Sequence, residues 1–454
     1  MRIKPFDWVQ IAILVVFSPL FIFPKPRLWW ILLVIPLLWI MRKILEKRFV
    51  EPTMMDVPIF IFLAAVLIST SMVPDFSNSL AKFAGLLFAI AFFYAAAAVL
   101  KTEILLKWAV SLFLLGGFLF SLVGLLGMPT FKVKHLDILM KIKDKIPQVD
   151  FGLPGAELGF STNAVGGTLL LVIPLFFVMS AAAWLHHKKK EIVPNTLTAV
   201  LSIIGLAVTA GVLLLTQSRG AWASLFISTV IIGLLLLVKI MKKKKIYLIV
   251  VTALLTATVI VGVGVYSMTQ SDQLQPGIKQ AEGTLLFRIQ LWNLAVPIVK
   301  ANPMWGIGLN NFRQEPEVRY FLSSAHNQFL HVAVELGIPA LIAYLALLLL
   351  MGYMCAQVWK KPAAAWMRLT ALGLGWGQLA FLFFGLTDAV PPGAKVGILF
   401  WISLALISAL YRFNRRNTNN RRVEGWKGGR VEAENKIFTF SSTEEFNQTE
   451  QKQP

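Results

Sequence analysis

Thr196-Leu-Thr-Ala-Val-Leu-Ser-Ile-Ile-Gly-Leu-Ala-Val-Thr-Ala-Gly-Val-Leu-Leu-Leu-Thr-Gln-Ser-Arg-Gly-Ala-Trp-Ala-Ser-Leu-Phe-Ile-Ser-Thr-Val-Ile-Ile-Gly-Leu-Leu-Leu-Leu-Val238 is two apolar runs joined by the turn Thr216-Gln-Ser-Arg-Gly220. Each run suits a helix crossing a hydrocarbon core about 30 Å thick. The turn is so short that Arg219 sits at or just beneath a membrane face, where an arginine is paired, snorkelling or functional. A guanidinium fork there matches a phosphate or pyrophosphate, and Gly220 lets the backbone turn closely beside it.

The same pattern extends through most of the chain. Its 454 residues are 57% hydrophobic and 15% charged, with a mean hydropathy of +0.70, too apolar for a soluble globular protein. The chain reads as an all-α polytopic membrane protein with about twelve spans. They run from Trp8 to Phe23, Leu28 to Met41, Val57 to Met72, Leu80 to Leu100, Ile104 to Gly127 and Ala164 to Leu185. The second half adds Thr196 to Leu215, Ala221 to Val238, Ile246 to Tyr266, Phe329 to Met354, Met367 to Leu386 and Val396 to Tyr411. The second and third are short, and a re-entrant pair is an alternative there.

Alternate loops hold the lysines and arginines: Arg42-Lys43 with Lys47-Arg48, Lys101 with Lys107, Lys188 to Lys190, Lys239 with Lys242 to Lys245, and Lys360-Lys361 with Arg368. These loops and both termini are expected to be cytoplasmic. Topogenesis therefore accounts for most of the net charge of +20, and nucleic acid is not implied. The expected organisation is spans one to five in 1–127, an outward basic loop in 128–163, spans six to nine in 164–266, a large outward loop in 267–328, spans ten to twelve in 329–411, and a disordered, lipid-attracted cytoplasmic tail in 412–454. The first span lacks an A-x-A cleavage site and reads as a retained signal anchor. The lone cysteine, Cys355, excludes an intrachain disulfide. No Walker loop, dinucleotide fingerprint or HExxH is present.

The chemistry gathers in the outward segments. In the first outward loop, Lys132, Lys134, Lys141, Lys143 and Lys145 alternate with apolar residues, a pattern suited to anionic lipid or saccharide or to a solvated helix. Gly166 and Gly167 in the sixth span permit close helix packing. In the second loop, Leu285, Ile289, Trp292, Val296 and Val299 recur at helical spacing, predicting an amphipathic helix on the membrane with Arg288 at its polar boundary. Ala301-Asn-Pro-Met-Trp-Gly-Ile-Gly308 follows as a turn-rich stretch, then Arg313 and Arg319.

Ser324-Ala-His-Asn-Gln-Phe-Leu-His-Val-Ala-Val-Glu-Leu-Gly337 ends the loop and opens the tenth span. It puts His326 where water meets membrane, and an imidazole, which titrates near neutrality, suits a general base. His331 and Glu335, at i and i+4, read as a structural pair on one helix face. His326 and His331 lie about 140° apart around a helix, so they do not suggest a shared metal ion.

Together these motifs resemble the O-antigen ligase and O-antigen polymerase superfamily of bacterial membrane glycosyltransferases. The matching residues are Thr216-Gln-Ser-Arg-Gly-Ala-Trp222, Arg288 with Trp292, Asn302-Pro-Met-Trp-Gly-Ile-Gly308 with Phe312, and His326-Asn-Gln-Phe-Leu330 with Glu335-Leu-Gly337. The resemblance implies a GT-C-like helical fold and transfer of a glycan from undecaprenyl pyrophosphate to an acceptor hydroxyl on a glycan, glycolipid or protein, with no cofactor or metal. It implies that Arg219 and Arg288 hold the pyrophosphate and that His326 deprotonates or orients the acceptor. Arg313, Arg319, Gln217, Asn327 and Glu335 are auxiliary candidates. Ligase, polymerase and protein-glycosylating activities all stay open. The competing class is a flippase of lipid-linked saccharide, against which stand the absence of an obvious internal repeat and the gathering of polar residues at one face.

Overall fold

The computed structural model describes residues 3–73, 75–129, 137–151, 160–185, 192–240, 285–316, 318, 324–391 and 393–419, and every regular element among them is helical. The expected ninth span, Ile246 to Tyr266, lies outside these residues, as do Lys132, Lys134, Lys188 to Lys190, Lys242 to Lys245 and Arg319. In order the helices are α1 (Pro5–Ile22), α2 (Val34–Glu46), α3 (Asp56–Ser71), α4 (Phe76–Val99), α5 (Glu103–Gly127), α6 (Asp137–Lys143), α7 (Thr162–Leu169), α8 (Ile173–Leu185), α9 (Thr196–Thr216), α10 (Arg219–Ile240), α11 (Leu285–Ala301), α12 (Gln328–Lys360), α13 (Ala365–Gly385) and α14 (Lys395–Asn419).

Among the described residues nine helices are long and apolar enough to cross a membrane, and ten if α7 and α8 form one span bent by 40°. The chain is a polytopic helical membrane protein, with nine or ten spans described where the sequence predicts twelve. The expected third span is the 16-residue α3, shorter than the others. The expected sixth is the α7 and α8 pair, broken just before Pro174, which has no N–H for a continuing helix. The tail expectation also needs correcting, because α14 continues past Tyr411 to Asn419. The physical reason is that Arg412, read from sequence as lipid-facing, turns inward. It donates to the carbonyls of Pro52 (3.2 Å) and Ala97 and lies 3.7 Å from Glu51.

Burial separates centre from periphery. In α4, 83% of the membrane window is buried inside the protein, against 17% in α10, so α4 is central and α10 faces outward. Lipid offers helices no hydrophobic reason to associate, so small residues set the close contacts. A Cβ on Gly167 would strike the Phe384 ring, and one on Gly205 the Phe176 ring. These contacts help dock α7 and α8 against α13 and α9. Elsewhere α12 packs on α3, α11 and α13, and α10 on α13.

The element that positions the site is α12, which is broken near its start. Gly337 has φ +84° and Pro339 follows, leaving carbonyls without helical partners. The Asn302-to-Gly308 loop supplies them: Ile307 and Gly308 N–H donate to the carbonyls of Val334 and Glu335 (both 2.9 Å), and Ile338 N–H donates to Pro303 (2.8 Å). Ser69 of α3 adds a 2.6 Å bond to the Glu335 carbonyl. Gly306 and Gly308 take φ of +64° and +97°, and a side chain on Gly306 would strike the α12 backbone. The turn-rich stretch is thus a backbone clasp on a broken helix.

Candidate active site

Four elements converge at the end of the molecule where α12 begins. The first is the hairpin between α9 and α10. The Thr216 hydroxyl donates to the Leu213 carbonyl (2.6 Å) and accepts from Ser218 N–H (3.2 Å), while Gln217 turns through a left-handed φ of +50°. Trp222 Nε1 closes the hairpin on the Leu213 carbonyl at 3.0 Å. Arg219 is therefore the first residue of α10, and Gly220 packs so closely on Thr387 that a Cβ would lie 3.0 Å from its hydroxyl.

The second element is α11, the helix expected from the Leu285-to-Val299 spacing. Its buried face, Phe287, Leu291 and Ala295, packs with Phe312, Val318, Ala325 and Val334, and Trp292 Nε1 donates to the Ala325 carbonyl at 3.0 Å. This turns Arg288 inward, where its buried Nε has no hydrogen-bond partner. Burial pulls the Arg288 guanidinium below its ordinary pKa; Asp388 opposes that shift and Arg219 adds to it. Those two influences put Arg219, Arg288 and Asp388 within electrostatic reach of one another.

The third and fourth elements meet at His326. Its φ of +43° lies in the left-handed region, a conformation that costs a non-glycine residue about 1–3 kcal/mol. The neighbours hold it there. Asn327 caps α12, accepting from Phe329 and Leu330 N–H at 3.0 Å each, and its own amide donates to the Leu386 carbonyl at the end of α13 (3.3 Å). His326 Nδ1 lies 3.0 Å from Asp388 Oδ1, which also accepts from Ala389 N–H at 2.8 Å. Because a carboxylate only accepts, Nδ1 carries the proton and the imidazole lone pair falls on Nε2. The Phe287 ring meets the imidazole edge-on, with centroids 5.9 Å apart.

Of the residues singled out in the sequence, Arg219, Arg288 and His326 come together. Gln217 and Ser218 border them with buried oxygens, Oε1 and Oγ, that lack hydrogen-bond partners. Asn327 is a cap and a tie between helices. Glu335 lies deeper, buried with His331 (3.4 Å) and with Lys82 of α4 (3.6 Å); the His331 contact is an ion-pair distance without hydrogen-bond alignment. Arg313 is exposed in the turn Phe312–Gln314, within electrostatic reach of Lys82 rather than in the arginine pair. Among the described residues no three His, Cys, Asp or Glu side chains converge as a metal site requires.

Asp388 escaped the sequence reading. The available signal was a single acidic residue in Leu386-Thr-Asp-Ala-Val-Pro-Pro392, a short turn expected on the same side of the membrane as Arg219 and His326.

Residues 204–345 match the model of the O-antigen ligase family. The match supports the resemblance to the ligase and polymerase superfamily and implies a membrane enzyme that transfers glycosyl groups in polysaccharide biosynthesis. The matched segment includes Arg219, Arg288 and His326, while Asp388 lies beyond its end. No curated protein matches the chain.

Proposed function

We propose that the protein transfers a glycan from an undecaprenyl-pyrophosphate donor to an acceptor hydroxyl at the outer face of the bacterial inner membrane, with both termini cytoplasmic. The acceptor is a glycan, a glycolipid or a protein. The observation that carries this reading is the inward-turned Arg288, within electrostatic reach of Arg219 and Asp388, beside a carboxylate-held histidine at one end of the helix bundle. A guanidinium pair suits a pyrophosphate, and a histidine with its lone pair on Nε2 suits a hydroxyl proton.

In this mechanism the acceptor oxygen attacks the anomeric carbon while Nε2 of His326 takes its proton. The bond from the anomeric carbon to the phosphate oxygen breaks, and lipid pyrophosphate leaves with the electron pair. Arg219 and Arg288 stabilise the charge that develops on it. Asp388 keeps the proton on Nδ1 and stabilises the imidazolium that forms. A single displacement inverts the anomeric centre. Transfer draws its driving force from the pyrophosphate leaving group, and the two guanidiniums take the charge-stabilising role, so the reading is metal-independent.

The test is product formation by the purified protein in EDTA, with undecaprenyl-pyrophosphate oligosaccharide and candidate acceptors, comparing wild type with His326→Ala on a gel. A ladder lost in the variant identifies a polymerase, and a single acceptor shift lost in the variant a ligase. A wild type that binds donor yet forms no glycosidic bond would turn the assignment toward a flippase.

A further inference from the structure

At the end of the molecule away from His326, α8, α10, α12 and α13 enclose a crevice of about 420 Å³. That volume falls within the roughly 300–1,000 Å³ of ordinary ligand sites. Leu185, Trp359 and Ala365 mark its mouth at helix ends, and Phe177 and Trp376 mark its depth. Along α13, Ala365 to Trp376 is a rise of about 16 Å at 1.5 Å per residue. Half of a hydrocarbon core about 30 Å thick is nearly the same length. The crevice therefore runs from one membrane edge to about the midplane.

Among the described residues its lining is apolar except for Arg368, one turn into α13. The Arg368 side chain is exposed and enters none of the ion pairs found among the described residues. The adjoining segment Gln357 to Met367 contains Lys360 and Lys361 and no acidic residue. A topogenic charge needs only to sit near a helix end, whereas Arg368 also forms part of the cavity wall. One leaflet's depth of apolar wall below the positive charge of Arg368 is complementary to a single amphiphile with an anionic head.

We propose that the crevice binds an anionic phospholipid of the leaflet opposite the His326 site, with one acyl chain ending against the Phe177 and Trp376 rings, which meet edge to face at its depth with centroids 5.6 Å apart, and its phosphate on Arg368. The occupant is a resident lipid, not the glycan donor.

The test is native mass spectrometry of the full-length protein in mild detergent, titrated with phosphatidylglycerol or with phosphatidylcholine carrying the same acyl chains. Wild type is expected to retain phosphatidylglycerol about fivefold more strongly, the scale of one basic side chain at a headgroup. Arg368→Gln, on an exposed position, should abolish that preference, and Arg368→Lys should keep most of it. Ala182→Trp, filling the crevice, should reduce retention of both lipids, with a thermal melt showing that the variant is folded. Equal retention of the two lipids by wild type overturns the proposal, as does a preference that survives Arg368→Gln. A wild-type dimer made monomeric by Ala182→Trp would show that a second copy is the occupant, and would overturn it too. None of these residues belongs to the His326 site, so failure here leaves the glycosyl-transfer reading intact.

Discussion

The two ends of this helix bundle treat buried charge in opposite ways. At the end away from His326, Arg42 is fully buried among counter-charges, lying 2.9 Å from Asp7, 3.2 Å from Gln10, 3.3 Å from Glu46 and 3.4 Å from Glu51. Lys101 closes the cluster at 3.2 Å from Asp7 and 3.7 Å from Glu51, and Arg412 reaches Glu51 from α14. At the His326 end, Arg288 Nε, Asp388 Oδ2, Gln217 Oε1 and Ser218 Oγ are all buried without hydrogen-bond partners. A fold that needs charge only for cohesion can supply the counter-charges itself, as the first end does, although Arg42 Nε and Glu46 Oε1 there also lack hydrogen-bond partners. Arg288 at the second end enters no ion pair found among the described residues, which is explicable when an anionic substrate supplies the counter-charge.

This contrast separates damage to chemistry from damage to folding. The largest expected effect is His326→Ala, which should slow transfer about 10²–10⁴-fold while leaving the melting temperature near that of wild type, as single-turnover assays and a thermal melt would show. Arg288→Ala should follow at about 10²–10³-fold in kcat, the usual worth of one preorganised charge-stabilising group. Arg288→Lys should recover only part of that loss, because an ammonium cannot form the bidentate fork.

Arg42→Met should do the reverse. It leaves Asp7, Glu46 and Glu51 buried without their central cation, and such a loss costs about 3–5 kcal/mol. The expected outcome is poor yield and a lower melting temperature, with normal kcat per folded molecule. A melting temperature unchanged from wild type would show that the Arg42 cluster does not hold this end together.

Asp388→Asn distinguishes a positioning role from a merely structural one. The amide can accept from Nδ1–H with its oxygen but cannot stabilise the imidazolium as a carboxylate does. A fall in kcat of about 10²-fold with little change in KM, and an altered pH profile, is expected. A change confined to KM would place Asp388 in substrate binding instead.

What could be read from the sequence divides along the same physical line. Apolar runs and the i, i+3, i+4 spacing revealed most of the helices, including α11, because lipid burial acts on each helix separately. Arg219 stood out because topogenic charge does not explain it, and Arg288 and His326 because they share the outward loop and its membrane edge and match the family motifs. Asp388 did not, since its meaning depends on Asn327 tying the end of α13 to the start of α12, a contact 59 residues apart in the chain. Likewise, Asn302 to Gly308 reads locally as a turn; only the break at Gly337 shows what its N–H groups satisfy. Arg412 looked like a lipid anchor for the same reason, its partners lying in the distant residues Glu51, Pro52 and Ala97.

The smallest expected effect tests whether burial, rather than partnership alone, gives these charges their weight. Asp75 is fully exposed yet partnered, accepting from the Ser77 N–H (2.9 Å) and hydroxyl (2.6 Å) at the start of α4. Those bonds, the hydroxyl first, hold its carboxyl below the ordinary carboxylate value. The sign follows from linkage: a depressed folded-state value gives stability that is present above the unfolded value and lost as pH falls through the folded one. Water competes for the same bonds, so the contribution is small, and asparagine caps a helix about as well as aspartate. Asp75→Asn should therefore melt like wild type at neutral pH and lose slightly less stability on acidification. If it instead destabilised the protein at neutral pH as much as Arg42→Met, partnership alone, without burial, would explain the weight of the Arg42 cluster.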